Sequence, residues 1–355
     1  VVVFHGGQQT WLAKLSPAFR AGPVMVPFFF VLSGFIMTIA YDKGDGIDKG
    51  KYWAARFARI APVYFLALAL TLLTFYVKGK KIDFIPLTFH VFFLQAWVPR
   101  QALSLNVPAW SLSMEMFFYL TFPFSLALLK RNSVFKSSTF VLAFWIFSMT
   151  ILSAMYYSSY YQKNTNENLF HAIIFYFPVS HLSSFLLGVA GGLIYNNYLS
   201  RLQVAPAISA RLVLAAFSAS FLSLHYGSQI KSLLVIPRLS FAYGFASPLF
   251  LLIILSLSID RSFFSRILAN KILVFLGELG YSIYILQYPI RNLYARYIIS
   301  LLNITGSHHF YLYLLLLIVL SAIIYTNIEN PVRYSLRKAA NGLFVKLQSR
   351  TSEQI

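Results

Sequence analysis

Apolar runs follow one another along the chain, separated by short polar breaks. Runs at 24–41, 57–77, 110–129, 138–157, 170–195, 209–226, 238–259, 272–299 and 310–328 predict helices, most of them close to the roughly 20 residues that cross a bilayer. The opening run reaches only from Val1 to Phe4 before His5. It is expected to be the end of a first transmembrane helix that has lost most of its length. The segment 84–98 is apolar but short, holds Pro86 and His90, and precedes Pro99. That pattern predicts a re-entrant segment rather than a crossing. The fold class is therefore all-α, a polytopic transmembrane bundle of about ten helices. It occupies residues 1–330, and 331–355 reads as a basic amphipathic tail. No repeat, low-complexity tract or separate soluble domain interrupts the pattern.

Composition sharpens this picture. Apolar residues make up 58% of the chain and charged residues 11%, against about 25% charged in an ordinary soluble domain. So few charges cannot cover a soluble protein of this length, which excludes a soluble enzyme, a disordered chain and a disulfide scaffold. Cysteine is absent. The net charge of +19 comes from 29 basic residues set against only 10 acidic ones. It reflects scarce acids rather than a basic patch, and so does not indicate a nucleic-acid partner. The breaks at 42–59, 130–136, 201–211 and 260–271, with the tail, hold 18 of the 29 Lys and Arg. The positive-inside rule places that set in the cytoplasm.

Ionisable groups inside apolar helices are costly and point to function. Glu115 lies inside the run 110–129, with Ser111 and Tyr119 one turn to either side on the same face. A carboxylate there either sits in a structural ion pair or orients a base. His5 ends the opening run; it is either an interfacial side chain or, chemically, the group best suited to accept an alcohol proton near neutral pH. Arg56 and Arg59 share a helical face at i, i+3. They read as snorkelling anchors or as a forked clamp for phosphate. Gly277, Tyr281, Tyr284 and Tyr288 form one stripe, and His181, Phe185, Gly188 and Gly192 another; small residues in such stripes allow close helix packing. No His/Asp/Glu spacing predicts a metal site, and no glycine-rich phosphate loop is present.

Taken in order, these segments resemble the acyltransferase 3 family of integral membrane acyltransferases. The resemblance runs through His5, Phe28-Phe29-Phe30-Val31-Leu32-Ser33-Gly34-Phe35 and Arg56-Phe57-Ala58-Arg59-Ile60-Ala61-Pro62. It continues through Pro108-Ala109-Trp110-Ser111-Leu112-Ser113-Met114-Glu115 with Tyr119 and Pro123, then His181 to Gly188, Leu276 to Tyr284, and Glu329-Asn330-Pro331. It departs from the family in having Gln287 where a histidine is common, so Gln287 is given no catalytic role. The family's arginine, about ten residues ahead of the histidine, would fall before Val1.

The resemblance implies transfer of an acyl group, commonly acetyl, from acyl-CoA (acetyl-CoA) to a hydroxyl of a carbohydrate or lipid-linked glycan. It implies no metal, and a multi-pass enzyme of a bacterial cytoplasmic membrane, embedded in lipid. His5 and Glu115 would be catalytic, with the carboxylate orienting the histidine or binding the acceptor. Arg56 and Arg59 would grip the CoA phosphates. Ser33, Trp110, Ser111, Tyr119, Tyr281 and Ser282 would line the substrate path. The rival class is a polytopic transporter of a small solute or glycan precursor, against which the absence of a repeat weighs.

Overall fold

A computed structural model of the chain describes residues 1–8, 10–44, 46–163, 169–226, 244–302 and 308–340. Among these residues all regular structure is helical. Among the described residues, eight helices are long and apolar enough to cross a bilayer: Gly22–Tyr41, Lys49–Val77, Val107–Leu129, Val134–Tyr157, Pro178–Asn197, Pro206–His225, Lys271–Ile298 and His308–Ala340. A shorter apolar helix, Ser247–Ser258, covers the later part of the expected run 238–259; positions 238–243 lie outside the described residues. The helical layout expected from the apolar runs is thus present, with three informative differences.

First, the helix expected from 57 begins at Lys49. Asp48 caps it, its carboxylate accepting the Lys51 amide at 3.1 Å and pairing with the Lys51 ammonium at 3.2 Å. Arg56 and Arg59 therefore lie about two to three turns inside the helix, given 3.6 residues per turn, and not at its mouth. Second, the run 170–195 is broken. Leu169–Tyr176 ends, Phe177 is extended, and Pro178 opens a new tight turn leading into Leu182–Asn197. Proline has no N–H for the ladder and forces its predecessor out of helical conformation. Third, the last apolar helix does not stop at 328. It widens into a π-turn over Tyr325–Glu329 and continues to Ala340. Pro331 comes two residues after that turn ends, where a regular ladder would need the missing N–H. The rest of the expected tail, 341–355, lies outside the described residues.

The segment 84–98 forms one eight-residue helix, Phe84–Val91, too short to span, followed by turns. Phe93 adopts a left-handed backbone conformation, with φ of 58°. Packing stabilises this otherwise disfavoured geometry: the Phe93 ring stacks on Tyr64 at 4.1 Å, and its carbonyl accepts the Ser113 hydroxyl at 2.5 Å.

The chain forms two compact units. The first comprises 1–44 and 124–276, the second 45–123 and 277–355. In the first unit, Leu182–Asn197 packs against Met25–Tyr41, Val134–Tyr157 and Ser247–Ser258. Its glycines explain the closeness of two of these helices. A Cβ on Gly188 would run into the Val31 carbonyl, and one on Gly34 into the Phe185 carbonyl. Two helix backbones touch there, as small residues permit in lipid, where packing rather than the hydrophobic effect drives association.

The glycine of the Phe28–Phe35 segment thus has a packing role. The other glycine pair does not: Gly277 and Gly280 have open space where a Cβ would go. Gly34→Ala and Gly188→Ala should each destabilise by about 1–3 kcal/mol, whereas Gly277→Ala and Gly280→Ala should be neutral or stabilising by up to about 1 kcal/mol. Thermal unfolding of the detergent-solubilised protein measures the contrast.

Candidate functional site

The site in the second unit is assembled on five segments: Lys49–Val77, the loop and tight turn before Trp110, the helix that starts at Trp110 as far as Pro123, the helix from Gly277, and the final helix. Prolines inside two of the helices help to bind the segments together. Pro123 cannot donate to the Tyr119 carbonyl; the Trp53 indole donates to it instead, at 3.2 Å. Pro289 cannot donate to the Ile285 carbonyl; the buried Asn106 amide does so at 3.0 Å. The carbonyls freed by proline become attachment points for neighbouring segments. Tyr52 stacks on Phe122 at 5.6 Å along the same seam. Gln95 anchors the re-entrant segment by donating to the Ala109 carbonyl at 2.7 Å.

Within this frame two similar groups of side chains form. In one, Tyr119 donates its hydroxyl to Glu115 at 2.6 Å, and the Arg56 guanidinium lies over the Tyr119 ring at 5.8 Å. Ser111, Glu115 and Tyr119 do share one helix face, as their spacing predicts. In the other, Arg59 forms an ion pair with Glu329, and its guanidinium lies over the Tyr281 ring at 5.7 Å. Glu329 is fully buried and accepts the Ser282 hydroxyl at 2.6 Å on its second oxygen. Tyr281 donates to the Ile60 carbonyl at 2.7 Å, tying its helix to the arginine helix. Glu115 interacts electrostatically with both arginines, so the groups form one charged cluster of two guanidiniums and two carboxylates.

Ser111 and Tyr284 complete the cluster. Their hydroxyls lie 2.8 Å apart, and both point at the Pro108 carbonyl at 3.1 Å. Two protons serve three contacts, so one contact is always without a donor. Arg56, Arg59, Glu115, Tyr281, Tyr284 and Trp110 are half-buried, while Ser111, Tyr119, Ser282 and Glu329 are buried. The reachable side chains are thus held by unreachable ones.

Of the residues singled out from the sequence, Arg56, Arg59, Trp110, Ser111, Glu115, Tyr119, Tyr281 and Ser282 all fall in this unit. His5 and Ser33 belong to the first. His5 lies in the short helix Val2–Gly6, its ring edge-on to Phe4, whose Cβ side abuts Gly22. Ser33 is half-buried in Met25–Tyr41, its hydroxyl 3.5 Å from the Met37 sulfur.

Two members of the cluster were not singled out. Glu329 stands just beyond the last apolar run; its place in the closing Glu-Asn-Pro element was the available signal. Tyr284 was seen only as part of a stripe. Gln287 is buried, and its amide nitrogen donates to the Tyr284 carbonyl at 2.8 Å. Among the described residues no group of three His, Asp or Glu is placed to hold a metal ion.

A family model described as an acyltransferase domain matches residues 1–326. The chain belongs to this acyltransferase family. Its relatives include the O-acetyltransferase OatA of Staphylococcus aureus, 25% identical over 357 residues, covering 94% of this chain and 55% of OatA. The acyltransferase MdmB of Streptomyces mycarofaciens is 31% identical over 145 residues, 37% of this chain and 35% of its own. ORF330 of the Acidianus two-tailed virus is 26% identical over 279 residues, 78% of this chain and 76% of its own. The chain thus spans about half the length of OatA. No solved structure matches it significantly. The family, the all-helical fold and the apolar helices together make this a multi-pass membrane acyltransferase.

The carbonyl bridges of this acyltransferase can be tested directly. Asn106→Ala should cost about 1–3 kcal/mol by leaving the buried Ile285 carbonyl without a donor. Pro289→Ala in the same background should recover part of that loss, because it returns the backbone N–H. Thermal unfolding of the two variants reads both effects; equal stability of Asn106→Ala and the parent would exclude the bridge.

Proposed function

We propose that the protein moves an acyl group, most simply acetyl, from acyl-CoA to a hydroxyl of a carbohydrate or lipid-linked glycan at the cytoplasmic membrane of a bacterium. The observation that carries this reading is the half-buried pair of guanidiniums two to three turns inside a spanning helix, set among hydroxyl groups and carboxylates. A carrier of neutral solutes has no need of such a pair. A donor bearing several phosphates does, because guanidinium groups bind phosphate oxygens in a forked, charge-assisted geometry. The positive-inside count supports the same side for the donor, since Arg56 and Arg59 belong to the basic 42–59 segment and lie near the start of the helix that begins within it.

In this reading His5 is the general base. It takes the proton of the acceptor hydroxyl as that oxygen attacks the thioester carbonyl. The C–S bond breaks, the CoA thiolate takes up a proton, and an ester remains on the acceptor. An acyl-imidazole on His5 is the two-step variant of the same chemistry. Glu115, bonded to Tyr119 and partly accessible, offers a carboxylate oxygen to acceptor hydroxyls. Ser111, Trp110 and Tyr281 line the acceptor path in the second unit.

Membranes carrying the protein, supplied with radiolabelled acetyl-CoA, should label cell glycan. His5→Ala should reduce that labelling by about 10²–10⁴-fold. Wild-type labelling by His5→Ala would remove the base assignment. Label retained on the protein in the absence of acceptor would select the two-step route. Uptake of a glycan precursor without any stabilisation of the protein by acetyl-CoA would replace this reading with the transporter.

A further inference from the structure

Among the described residues the buried carboxamides are Gln95, Asn106 and Gln287, each at most 2% exposed and all in the second unit. Each spends its amide nitrogen on a backbone carbonyl. Gln95 donates to Ala109 at 2.7 Å, Asn106 to Ile285 at 3.0 Å and Gln287 to Tyr284 at 2.8 Å. Those bonds fix which end of each group is the oxygen, since two facing oxygens would repel. In all three the side-chain oxygen has no hydrogen-bond partner among the described residues. A buried acceptor without a donor is costly and uncommon in a folded protein. Three of one kind in one unit call for a common explanation.

The three gather around one turn. Asn106 precedes the tight turn Val107–Ala109, and the Ala109 carbonyl takes Gln95. The Pro108 carbonyl is shared by the hydroxyls of Ser111 and Tyr284. Gln287 is bonded to the backbone of that same Tyr284, and its own backbone carbonyl is held by the Tyr313 hydroxyl at 2.8 Å. The segment leading to the turn has left-handed backbone at Phe93 and Arg100. The Phe93 ring stacks on Tyr64, near the midpoint of Lys49–Val77, so this irregular segment reaches the middle of a spanning helix. Irregular backbone at that depth is tolerated where it is buried in protein or lines a polar cavity.

Hydrogen-bond polarity separates this place from the arginine cluster. Guanidinium groups only donate, and so match phosphate oxygens. A carboxamide whose nitrogen is engaged only accepts; it matches a hydroxyl and is a poor neighbour for phosphate. We propose that Asn106 and Gln287, with the Ser111–Tyr284 pair, form the subsite that recognises hydroxyl groups of the acceptor. Their oxygens take the protons of hydroxyls flanking the one that is acylated, and Gln95 ties the turn to the re-entrant segment. Tyr284, half-buried, is the reachable member of the group, so entry is past its side chain. Inside, an acceptor lacking the matching hydroxyl leaves a buried oxygen unpaired, which is how such a site discriminates. This rests on the transfer reading above and assigns its acceptor side.

The test separates the two substrates. Purified protein in detergent receives radiolabelled acetyl-CoA and, as acceptor, envelope glycan extracted from the cells that express it. Initial rates give the KM for glycan, and equilibrium binding of radiolabelled CoA gives the donor affinity. Asn106 also bridges to Ile285, so Gln287 carries the test. Gln287→Met keeps the length of the side chain and removes the oxygen, while the Tyr284 carbonyl keeps its helical amide partner. It should raise the KM for glycan by about tenfold and leave CoA affinity within about threefold of the parent.

Tyr284→Phe removes a neighbouring hydroxyl; it should raise the same KM and spare CoA affinity, and serves where Gln287→Met fails to fold. A KM for glycan within about twofold of the parent in both folded variants would overturn the proposal, since the oxygens would then matter to folding alone. Weakened CoA binding with an unchanged KM for glycan would overturn it as well. Absence of glycan labelling by the parent, with CoA still bound, would reject the transfer reading itself and this subsite with it.

Discussion

In a bilayer each backbone N–H and C=O must find its partner within the protein, because lipid offers none. Proline inside a spanning helix breaks that rule by leaving one carbonyl without its donor. In the second unit two such breaks are met from a neighbouring segment. The Tyr119 carbonyl freed by Pro123 is met by Trp53, and the Ile285 carbonyl freed by Pro289 is met by Asn106. Each contact crosses from one segment to another. What would be a defect in a lone helix fixes the relative placement of the arginine helix, the Glu115 helix, the loop before Trp110 and the Tyr281 helix.

Charge is handled by the same logic. A guanidinium inside a spanning helix is expensive unless it is paired or reaches water. Arg59 is paired with Glu329, and Arg56 lies over the Tyr119 ring in the field of Glu115. Two positive and two negative groups balance, so the cluster adds no net charge to the unit. It concentrates four charged groups in a small region without becoming an indiscriminate sink for anions. Hydroxyls from Ser111, Tyr119, Tyr281, Ser282 and Tyr284 supply the remaining contacts to four backbone or carboxylate partners, the Pro108 carbonyl being shared by two of them.

Much of this was legible in the sequence, for identifiable reasons. Helix count followed from apolar runs, because lipid leaves little choice of spanning structure. The shared face of Ser111, Glu115 and Tyr119 followed from spacing alone. Other features depended on interactions that spacing does not encode. The early start of the arginine helix came from the Asp48 cap, outside the apolar run. The break at Pro178 was hidden by the apolar residues on both sides of it. Glu329 stands just beyond the last apolar run, and the π-turn that precedes Pro331, and carries the carboxylate within the helix, cannot be read from hydropathy. Gly188 and Gly277 stand in similar small-residue stripes; only the three-dimensional neighbours separate the one that touches a backbone from the one with open space beside it.

That last difficulty bears on motifs in general. Arg56 and Arg59 are written as one element, and an i, i+3 pair invites one role for both. Yet a helix turns by about 300° over three residues, so the two guanidiniums, though neighbours, meet different partners. Arg56 faces the helix that carries Glu115, and Arg59 faces the helices that carry Tyr281 and Glu329. A repeated residue in a motif reports that the same chemistry is needed twice. It does not report that the same ligand is touched twice. In a membrane protein the second copy is often required simply to make a buried carboxylate tolerable, and that carboxylate in turn holds the next helix in place. The carboxylate and the arginine then specify each other. Their mutual dependence reaches from the second spanning helix to the last across 270 residues of chain, which joins the two ends of the second unit's sequence in a single polar contact.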